Sequence, residues 1–132
     1  MIAVAALGAY FVVQLAVFAH LATAVSSYSR KYLPAVHYVK SILQPGDLVA
    51  GAADLAFGLG FYNPQLVDDI WLGRWSGKRP TIVVVDDWYY YECTIMNTPT
   101  AQPYKQWVND QLTREFALVK ALDGYSIYRR VN

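Results

Sequence analysis

The residues best suited to chemistry lie in one segment of the sequence, GFYNPQLVDDIWLGRWSGKRP, which runs from Gly60 to Pro80. It carries two adjacent carboxylates and, a few residues later, a group of cations. The next apolar run ends in a second pair of carboxylates, Asp86 and Asp87. This combination suits contact with a polar or charged ligand. The candidate loop or ligand-contact residues are Asn63, Asp68, Asp69, Arg74, Lys78 and Arg79.

Three roles are open to these carboxylates. Strand ends in open α/β sheets are where ligands commonly bind, and carboxylates there can hold a hard divalent cation. Adjacent aspartates, however, point their side chains in different directions, and the neighbouring cations are near enough in sequence to pair with them. The sequence therefore favours ion pairs that order the loop over direct ligand contact, and direct contact over a metal site.

Other patterns exclude several common types of active site. The GLG of Gly58 to Gly60 lacks the third glycine of a dinucleotide fingerprint, because Asn63 stands in that place. The SGKRP that ends at Pro80 lacks the frame of a P-loop. Cys93 is the only cysteine, so no disulfide, zinc site or Cys-based redox motif can form within the chain. No nucleophile stands beside an obvious base, and no catalytic residue is predicted.

A group of aromatic side chains lies in the loop and after the next strand. Such side chains can pack in a core, lie in the headgroup region of a membrane, or form a wall on which a sugar stacks. The sequence favours core packing for roughly half of them and leaves membrane and sugar contact open for the rest. The group consists of Trp71, Trp75, Trp88, Tyr89, Tyr90 and Tyr91.

The N-terminal stretch MIAVAALGAYFVVQLAVFAHLATAV has about the 20 apolar residues that a helix needs to cross a hydrocarbon core. No Asp, Glu, Lys or Arg occurs before Arg30. We predict a transmembrane helix over residues 1–29 and a separate small domain over residues 30–132. A secretory signal peptide is the alternative, because Ala22 to Ala24 resemble a small-residue cleavage site. The missing basic n-region and the length of the apolar stretch favour the anchor.

The charges of the chain bear on its partners and its topology. A formal net charge of +1 gives no electrostatic reason to expect a nucleic-acid partner, so none is predicted. Arg30 and Lys31 follow the apolar stretch directly, and the positive-inside rule alone would place them and the domain in the cytoplasm. The lipid bilayer is the partner that the sequence itself predicts.

The elements after this helix predict an α/β fold in which the loop bridges two strands. YLPAVHYVKSIL carries apolar residues at helical spacing and predicts a short amphipathic helix up to Leu43, which Pro45 and Gly46 end. DLVAG, Asp47–Gly51, is the first strand, and AADLAFGLGF is a short helix packed on a sheet. TIVVVDD, Thr81–Asp87, is a β-branched run typical of a strand buried on both faces. Together they predict a right-handed parallel βαβ unit.

The rest of the chain predicts one more helix and a hairpin. Pro103 fits the first position of a helix whose apolar face includes Trp107 and Leu112. Asp123 and Gly124, between two alternating stretches, are a strong two-residue hairpin signal. The predicted fold class is thus α/β: an N-terminal transmembrane helix followed by a small α/β sandwich with a parallel βαβ unit and a C-terminal antiparallel β-hairpin.

The longest informative stretch of the sequence resembles a known family. LQPGDLVAGAADLAFGLGFYNPQLVDDIWLGRWSGKRPTIVVVDDWYY resembles the membrane-distal tail of bacterial polytopic glycosyltransferases of the dolichyl-phosphate-mannose protein mannosyltransferase type. In that family a PGD strand, a GLGF-NPQLVDD loop and an LG-x-x-SGKRP turn recur after the last transmembrane helix. The resemblance runs from the anchor to the terminal YSIYRRV, and the loop motif is its most specific part, whereas the flanking helix and hairpin are generic.

The resemblance implies that the chain is the last transmembrane helix and soluble tail of a large multi-span enzyme. Such an enzyme moves a sugar from a polyprenyl-phosphate carrier to an acceptor on the extracytoplasmic side. The implied partners are therefore the remaining transmembrane helices of the parent enzyme and the polyprenyl-phosphate sugar. The resemblance also places Arg30 onward on the periplasmic side of the cell membrane, against the local charge rule.

The resemblance carries no catalytic residue over to this chain. The family keeps its acidic catalytic residue in the first extracytoplasmic loop, which has no counterpart here, so neither Asp68 nor Asp69 is given that role. No cofactor is implied for this chain, and a divalent cation is left to the complete enzyme.

Two classes of function follow. The first is an accessory domain of a membrane glycosyltransferase, inactive alone, that packs on the catalytic part or helps to shape the acceptor side. The second is a stand-alone membrane-anchored binding or interaction module that uses the aromatic and Asp-rich loop. A free-standing α/β enzyme ranks last, because no nucleophile, base or phosphate cradle emerges from the sequence.

Overall fold

A computed structural model describes residues 2–67, 72–74, 76–86, 89 and 102–131 of the chain. The α-helices of these residues are α1 (Ile2–Ser27), α2 (Leu33–Ile42), α3 (Leu55–Leu59) and α4 (Gln102–Glu115), and a π-helical turn spans Tyr28–Tyr32. The strands are β1 (Val49–Gly51), β2 (Leu66–Val67), β3 (Ile82–Asp86), β4 (Phe116–Leu122) and β5 (Tyr125–Arg130).

The N-terminal helical segment runs from α1 through the π-helical turn into α2 without a break. In this turn the N–H of Leu33 donates to the carbonyl of Tyr28, five residues earlier, which widens the helix locally. Pro34, which has no N–H to donate, lies directly after the widened turn. The helix that we predicted as a separate short element up to Leu43 is therefore continuous with the apolar helix.

α1 carries exposed apolar side chains over its described part, from Tyr10 to Leu21. Phe11, Leu15 and Phe18 are exposed, as are the other large apolar side chains described on it. Among the described residues, this helical segment near the N-terminus is long and apolar enough to cross a membrane, and its most apolar window has no buried residue. An apolar helix that the domain does not cover differs from a core helix, whose apolar side chains are buried.

The described strands form one mixed sheet in the order β2-β1-β3-β5-β4. β1 pairs in parallel with β2 and with β3, whereas β3 pairs antiparallel with β5, the second strand of the β4–β5 hairpin. The hairpin turns at Asp123 and Gly124, and Gly124 takes a positive φ of 79° at the second turn position, as in a type II turn. The predicted α/β class, parallel βαβ unit and C-terminal hairpin are confirmed.

Two features of the sheet differ from the sequence prediction. β2 is a short parallel strand inside the stretch that we predicted as a loop, because two residues are too few to give a periodic signal. β1 begins at Val49 and not at Asp47. The N–H of Asp47 instead closes a turn on the carbonyl of Gln44 at 3.0 Å, and its side chain joins a hydrogen-bond network.

Helices cover both faces of the sheet. Successive residues of β3 alternate between them: Val83 and Val85 pack in the cluster that includes α4, and Ile82 and Val84 in the cluster that includes α2 and α3. None of the four is more than 2% exposed. The prediction of a strand buried on both faces is therefore confirmed. Burial of each such side chain contributes roughly 1.5–3 kcal/mol, which places β3 at the centre of the core.

The two ends of the sheet have different neighbours. At the carboxyl end of β3 the π-helical turn meets the hairpin, and Lys31 Nζ lies 3.2 Å from Asp123 Oδ1. At the amino end of β3 the chain enters through Pro80, whose carbonyl accepts a hydrogen bond from Arg130 at the end of β5. α1 therefore leaves the domain at the carboxyl end of the parallel strands.

Candidate functional site

Three of the predicted site residues line one cleft at the amino end of the sheet. The cleft has a volume of about 300 Å³ and lies between the loop that precedes β3, helix α4 and the end of β5. We call it the cationic cleft. The side chains that give it its chemical character are Arg74, Lys78, Arg79, Trp107, Glu115 and Arg130.

A tight loop forms one wall of the cationic cleft. The N–H of Gly77 donates to the carbonyl of Gly73 at 2.9 Å. Gly73 has a φ of 86°, and a Cβ there would lie 1.4 Å from the carbonyl oxygen of Lys78. Leu72, a buried residue, has a positive φ of 52°, which is uncommon for a residue with a bulky side chain. The loop thus requires glycine at position 73 and holds its neighbour in a strained conformation.

Arg130 is the least exposed cation of the cationic cleft. Its Nε donates to the carbonyl of Pro80 at 3.0 Å, and its Nη1 forms an ion pair with Glu115 Oε2. Its guanidinium carbon lies 4.6 Å from the centroid of the Phe116 ring. These contacts join the end of α4 to the sheet, and Glu115 balances the charge of Arg130.

The other cations of the cationic cleft lie at its opening. Arg74, Lys78 and Arg79 are all exposed. The guanidinium carbon of Arg74 lies 5.4 Å from the centroid of the Trp107 ring, which is a cation–π arrangement. Among the described lining residues, Glu115 is the only carboxylate, and it is already paired. The cationic cleft therefore presents positive charge and N–H donors, the groups that bind anions.

The remaining candidate residues do not line this cleft in the described part of the chain. Asn63 orders its own loop, because its Nδ2 donates to the carbonyl of Leu59 at 3.1 Å and its Oδ1 accepts from the N–H of Gln65 at 2.9 Å. Asp68 and Asp69 lie outside the described residues. Their pairing with the loop cations stays a prediction.

Asp86 lies at the opposite, carboxyl end of the sheet. Its Oδ1 accepts a hydrogen bond from the N–H of Tyr89 at 2.6 Å. Tyr89 is fully buried in the cluster with α4, so this member of the predicted aromatic group packs in the core. The members of these predicted sets that fall outside the described residues are Trp71, Trp75, Asp87, Trp88, Tyr90 and Tyr91.

Asp47, which the sequence patterns do not single out, is a buried carboxylate near the amino end of the sheet. Asp47 is 7% exposed and accepts hydrogen bonds from the N–H of Gln44 at 2.8 Å and from Thr81 Oγ1 at 2.7 Å. Arg129 Nη2 donates to it at 3.1 Å. Burial opposes ionisation, but the hydroxyl, the backbone N–H and the guanidinium together hold the pKa of Asp47 below its ordinary value. The network joins strands β3 and β5 to the turn before β1.

A second such carboxylate, Asp54, lies beside the exit of α1. Tyr125 Oη donates to Asp54 Oδ2 at 3.1 Å, and Tyr32 Oη donates to the Asp54 carbonyl at 2.8 Å. Asp54 Oδ1 is buried and has no hydrogen-bond partner among the described residues. Burial raises the pKa of Asp54, and burial together with the Asp54 charge raises the pKa of Tyr125.

Asp54→Asn is expected to stabilise the domain by on the order of 1 kcal/mol at neutral pH, since it removes a buried charge and keeps an acceptor for Tyr125. The folded pKa of Asp54 lies above the ordinary 3.8, so the ionised carboxylate destabilises the fold only as pH rises through the folded pKa. Urea unfolding in detergent should therefore show a gain at neutral pH that disappears below pH 3.8. A loss of stability at neutral pH would mean that the Asp54 charge is well paired.

The described residues contain no group of three or more His, Cys, Asp or Glu side chains that could hold a metal ion. Asp47 and Asp54 lie toward opposite ends of the sheet. Asp47 stabilises the fold through partners from distant parts of the chain, whereas the buried charge of Asp54 is only partly satisfied.

Exposed aromatic side chains lie on and just after α3. Phe57, Phe61 and Tyr62 are 73%, 65% and 100% exposed, and the Phe57 and Phe61 rings meet edge to face with centroids 5.1 Å apart. Another side of α3 packs on the N-terminal helical segment, since a Cβ at Gly58 would come within 2.8 Å of the Tyr32 hydroxyl. α3 thus lies beside the turn that follows α1 and exposes aromatic rings to its surroundings.

Comparison of this chain with protein-family models, curated proteins and solved structures finds no match. The functional assignment therefore rests on the residues of the chain itself. They form a positively charged cleft at one end of a small sheet and a long apolar helix that leaves from the other.

Proposed function

We propose that this chain is the membrane-anchored C-terminal part of a glycosyltransferase that moves a sugar from a polyprenyl-phosphate carrier to an acceptor. In this proposal α1 is the last transmembrane helix. The domain that follows is an accessory part that packs on the catalytic part of the enzyme or helps to shape its acceptor side. The domain contributes no catalytic residue of its own and lies on the extracytoplasmic side of the cell membrane.

The observation that carries the proposal is the exposed apolar helix that enters the domain without a linker. At the junction the Tyr28 and Tyr32 rings stack with centroids 5.0 Å apart, and Tyr32 also donates a hydrogen bond to Asp54. Lys31 pairs with Asp123 of the hairpin. These contacts keep the domain close to the end of α1, as an accessory domain of a membrane enzyme requires.

Two further features support the proposal. The exposed rings of Phe57, Phe61 and Tyr62 give the domain an aromatic surface near the junction, suited to the headgroup region or to neighbouring helices of a parent enzyme. The GLGF-NPQLVDD and SGKRP motifs resemble those of the polyprenyl-phosphate-dependent family, which supports sugar transfer as the reaction.

An antibody raised against the folded domain tests this proposal in membranes of the source cells. We expect it to detect a polypeptide much longer than 132 residues and to precipitate, from a detergent extract, an activity that transfers labelled sugar from a polyprenyl-phosphate donor. Antibody added to intact spheroplasts should bind, because the domain lies outside the cytoplasm. Pre-immune serum is the control.

The proposal would be contradicted if the antibody detected a membrane protein of only 132 residues and precipitated no transfer activity. Binding of the antibody only after the spheroplasts are permeabilised would contradict the extracytoplasmic placement alone. In that case the charges of Arg30 and Lys31 would correctly predict the side of the membrane.

The cationic cleft favours one second candidate, a stand-alone membrane-anchored binding module. The cleft is built by the loop, α4 and β5 of this chain and needs no further subunit. Such a module would bind an anionic ligand without any transfer of sugar. The length of the native polypeptide separates the two candidates.

A further inference from the structure

We infer that the cationic cleft binds the phosphate group of a ligand dissolved in the aqueous phase. The binding groups are the exposed Lys78 and Arg79, with the ion-paired Arg130 behind them and Arg74 beside them over the Trp107 ring. This site goes beyond the proposed function, because it requires neither the transfer reaction nor the remaining helices of the enzyme.

The charges that line the cationic cleft select an anion. Three exposed cations share an opening whose only described carboxylate, Glu115, is paired with Arg130. A guanidinium offers pairs of N–H groups that match two phosphate oxygens, and a lysine adds a compact positive charge. The volume of about 300 Å³ is that of a small ligand site and admits a phosphate with a small polyol or sugar attached.

The backbone of the loop is a second, independent feature of the site. Leu72 and Gly73 take successive positive φ angles of 52° and 86°, and Gly77 takes 70°. Turn backbones can form anion-binding concavities from successive N–H groups; in this loop the N–H groups of Gly77 and Lys78 already donate to Gly73 and Ser76. Strain at a bulky residue such as Leu72 is concentrated at ligand sites in proteins.

The position of the cationic cleft selects a soluble ligand over a lipid headgroup. The Lys31–Asp123 pair marks the end of the sheet from which α1 leaves, and Arg130 lies at the other end of β5. The six residues of β5 separate these ends by roughly 17 Å at about 3.3 Å per residue. The headgroup layer on each side of a bilayer is only about 5–8 Å thick. The distance of the cleft from the point where α1 enters the domain therefore favours a phosphate in the water over one in the membrane that holds α1.

Asp68 and Asp69 are the rival occupants of the cationic cleft, because the sequence predicts that they pair with the same cations. A carboxylate of the same chain has a high effective concentration, so it would exclude a dissolved phosphate. Replacing these aspartates by asparagine therefore distinguishes the two occupants. Phosphate binding is gained only if the aspartates occupy the cleft of the wild-type protein.

Calorimetric titration of the full chain in phosphatidylcholine nanodiscs tests the inference, with inorganic pyrophosphate and glycerol 1-phosphate as probes. We expect wild-type protein to bind both probes and its affinity to fall with added salt. Lys78→Gln with Arg79→Gln should lower the affinity at least about tenfold, because two charge-assisted contacts are lost. The control, Lys40→Gln with Lys120→Gln, removes the same charge outside the cleft lining and should leave the affinity unchanged.

Each alternative has its own signature. An equal loss of affinity in the control variant would mean that overall charge, and not the cleft, binds the probes. Failure of wild type to bind, with binding gained by Asp68→Asn with Asp69→Asn, would assign the cleft to the chain's own carboxylates. Failure of both proteins to bind would also overturn the inference. If the protein bound phosphatidylglycerol vesicles through the loop cations and did not bind the soluble probes, the loop cations would form a site for lipid headgroups.

Discussion

Replacing Asp47 by alanine is expected to lower the free energy of unfolding by about 3 kcal/mol, because it leaves the partners of a buried carboxylate unpaired. Thr81 Oγ1 and the N–H of Gln44 both lose their acceptor, and Arg129 loses its counter-ion. We place the loss at the lower end of the range for buried pairs, because the Arg129 side chain is 31% exposed and water screens part of its charge. Urea unfolding in detergent, followed by tryptophan fluorescence, measures the loss.

Asp123→Ala is the matched control for this prediction. It also removes an aspartate from an ion pair, but the Asp123 side chain is 71% exposed and its partner is Lys31. Exposed pairs contribute at most about 1 kcal/mol, so the control should remain close to wild type. Equal losses in the two variants would mean that the network around Asp47 adds nothing to stability.

The same carboxylate predicts how stability changes in acid. The folded pKa of Asp47 lies below the ordinary 3.8, so its contribution is fully present above pH 3.8 and is lost as pH falls through the folded pKa. Wild-type protein should therefore lose stability more steeply in acid than Asp47→Asn does. Stability changes with pH in the opposite direction at Asp54, because the raised pKa of Asp54 means that its ionised form destabilises the fold.

Gly73→Ala is expected to destabilise the domain by about 2–5 kcal/mol and to abolish binding of anions at the cationic cleft. The new Cβ would lie 1.4 Å from the carbonyl oxygen of Lys78, so the backbone must move. Displacement of packed backbone costs roughly 1–3 kcal/mol. The φ of 86° adds about 1–2 kcal/mol for a residue that carries a side chain. Urea unfolding and pyrophosphate titration measure the two effects.

Gly77→Ala separates the steric cause from the conformational one. Gly77 also has a positive φ, of 70°, but a Cβ there meets nothing within 4 Å. Gly77→Ala should therefore lower the free energy of unfolding only by the conformational part, about 1–2 kcal/mol. If both alanine variants lost the same stability, the close approach of Gly73 to Lys78 would have no energetic importance.

The parts of the fold that the sequence predicts are those whose signals are local. The β-branched run of β3 is buried on both faces because each of its residues is apolar, whichever face it meets. The turn at Asp123 and Gly124 follows from the φ that glycine permits. The length of the apolar stretch alone predicts a helix able to cross a membrane.

The parts that the sequence does not predict depend on contacts between distant residues. Arg129 and Asp47 are 82 positions apart, and Tyr125 and Asp54 are 71 apart, so no spacing rule brings them together. The density of cations in the loop indicates Arg74, Lys78 and Arg79 of the cationic cleft from the sequence alone. It does not indicate Trp107, Glu115 and Arg130, because they come from α4 and β5 and meet the loop only when the sheet forms.

The π-helical turn has a consequence for motion. Hydrogen bonds between successive turns make a helix resist torsion, and the segment from Ile2 to Ile42 is helical throughout. Val36 and Val39 of α2 are buried, so this segment cannot swivel against the domain without unpacking those side chains. Rotation of α1 about its own axis, in the bilayer that we propose for it, would therefore turn the sheet and the cationic cleft as well. A neighbouring helix that binds α1 would thereby set the direction in which the cleft faces the surrounding water.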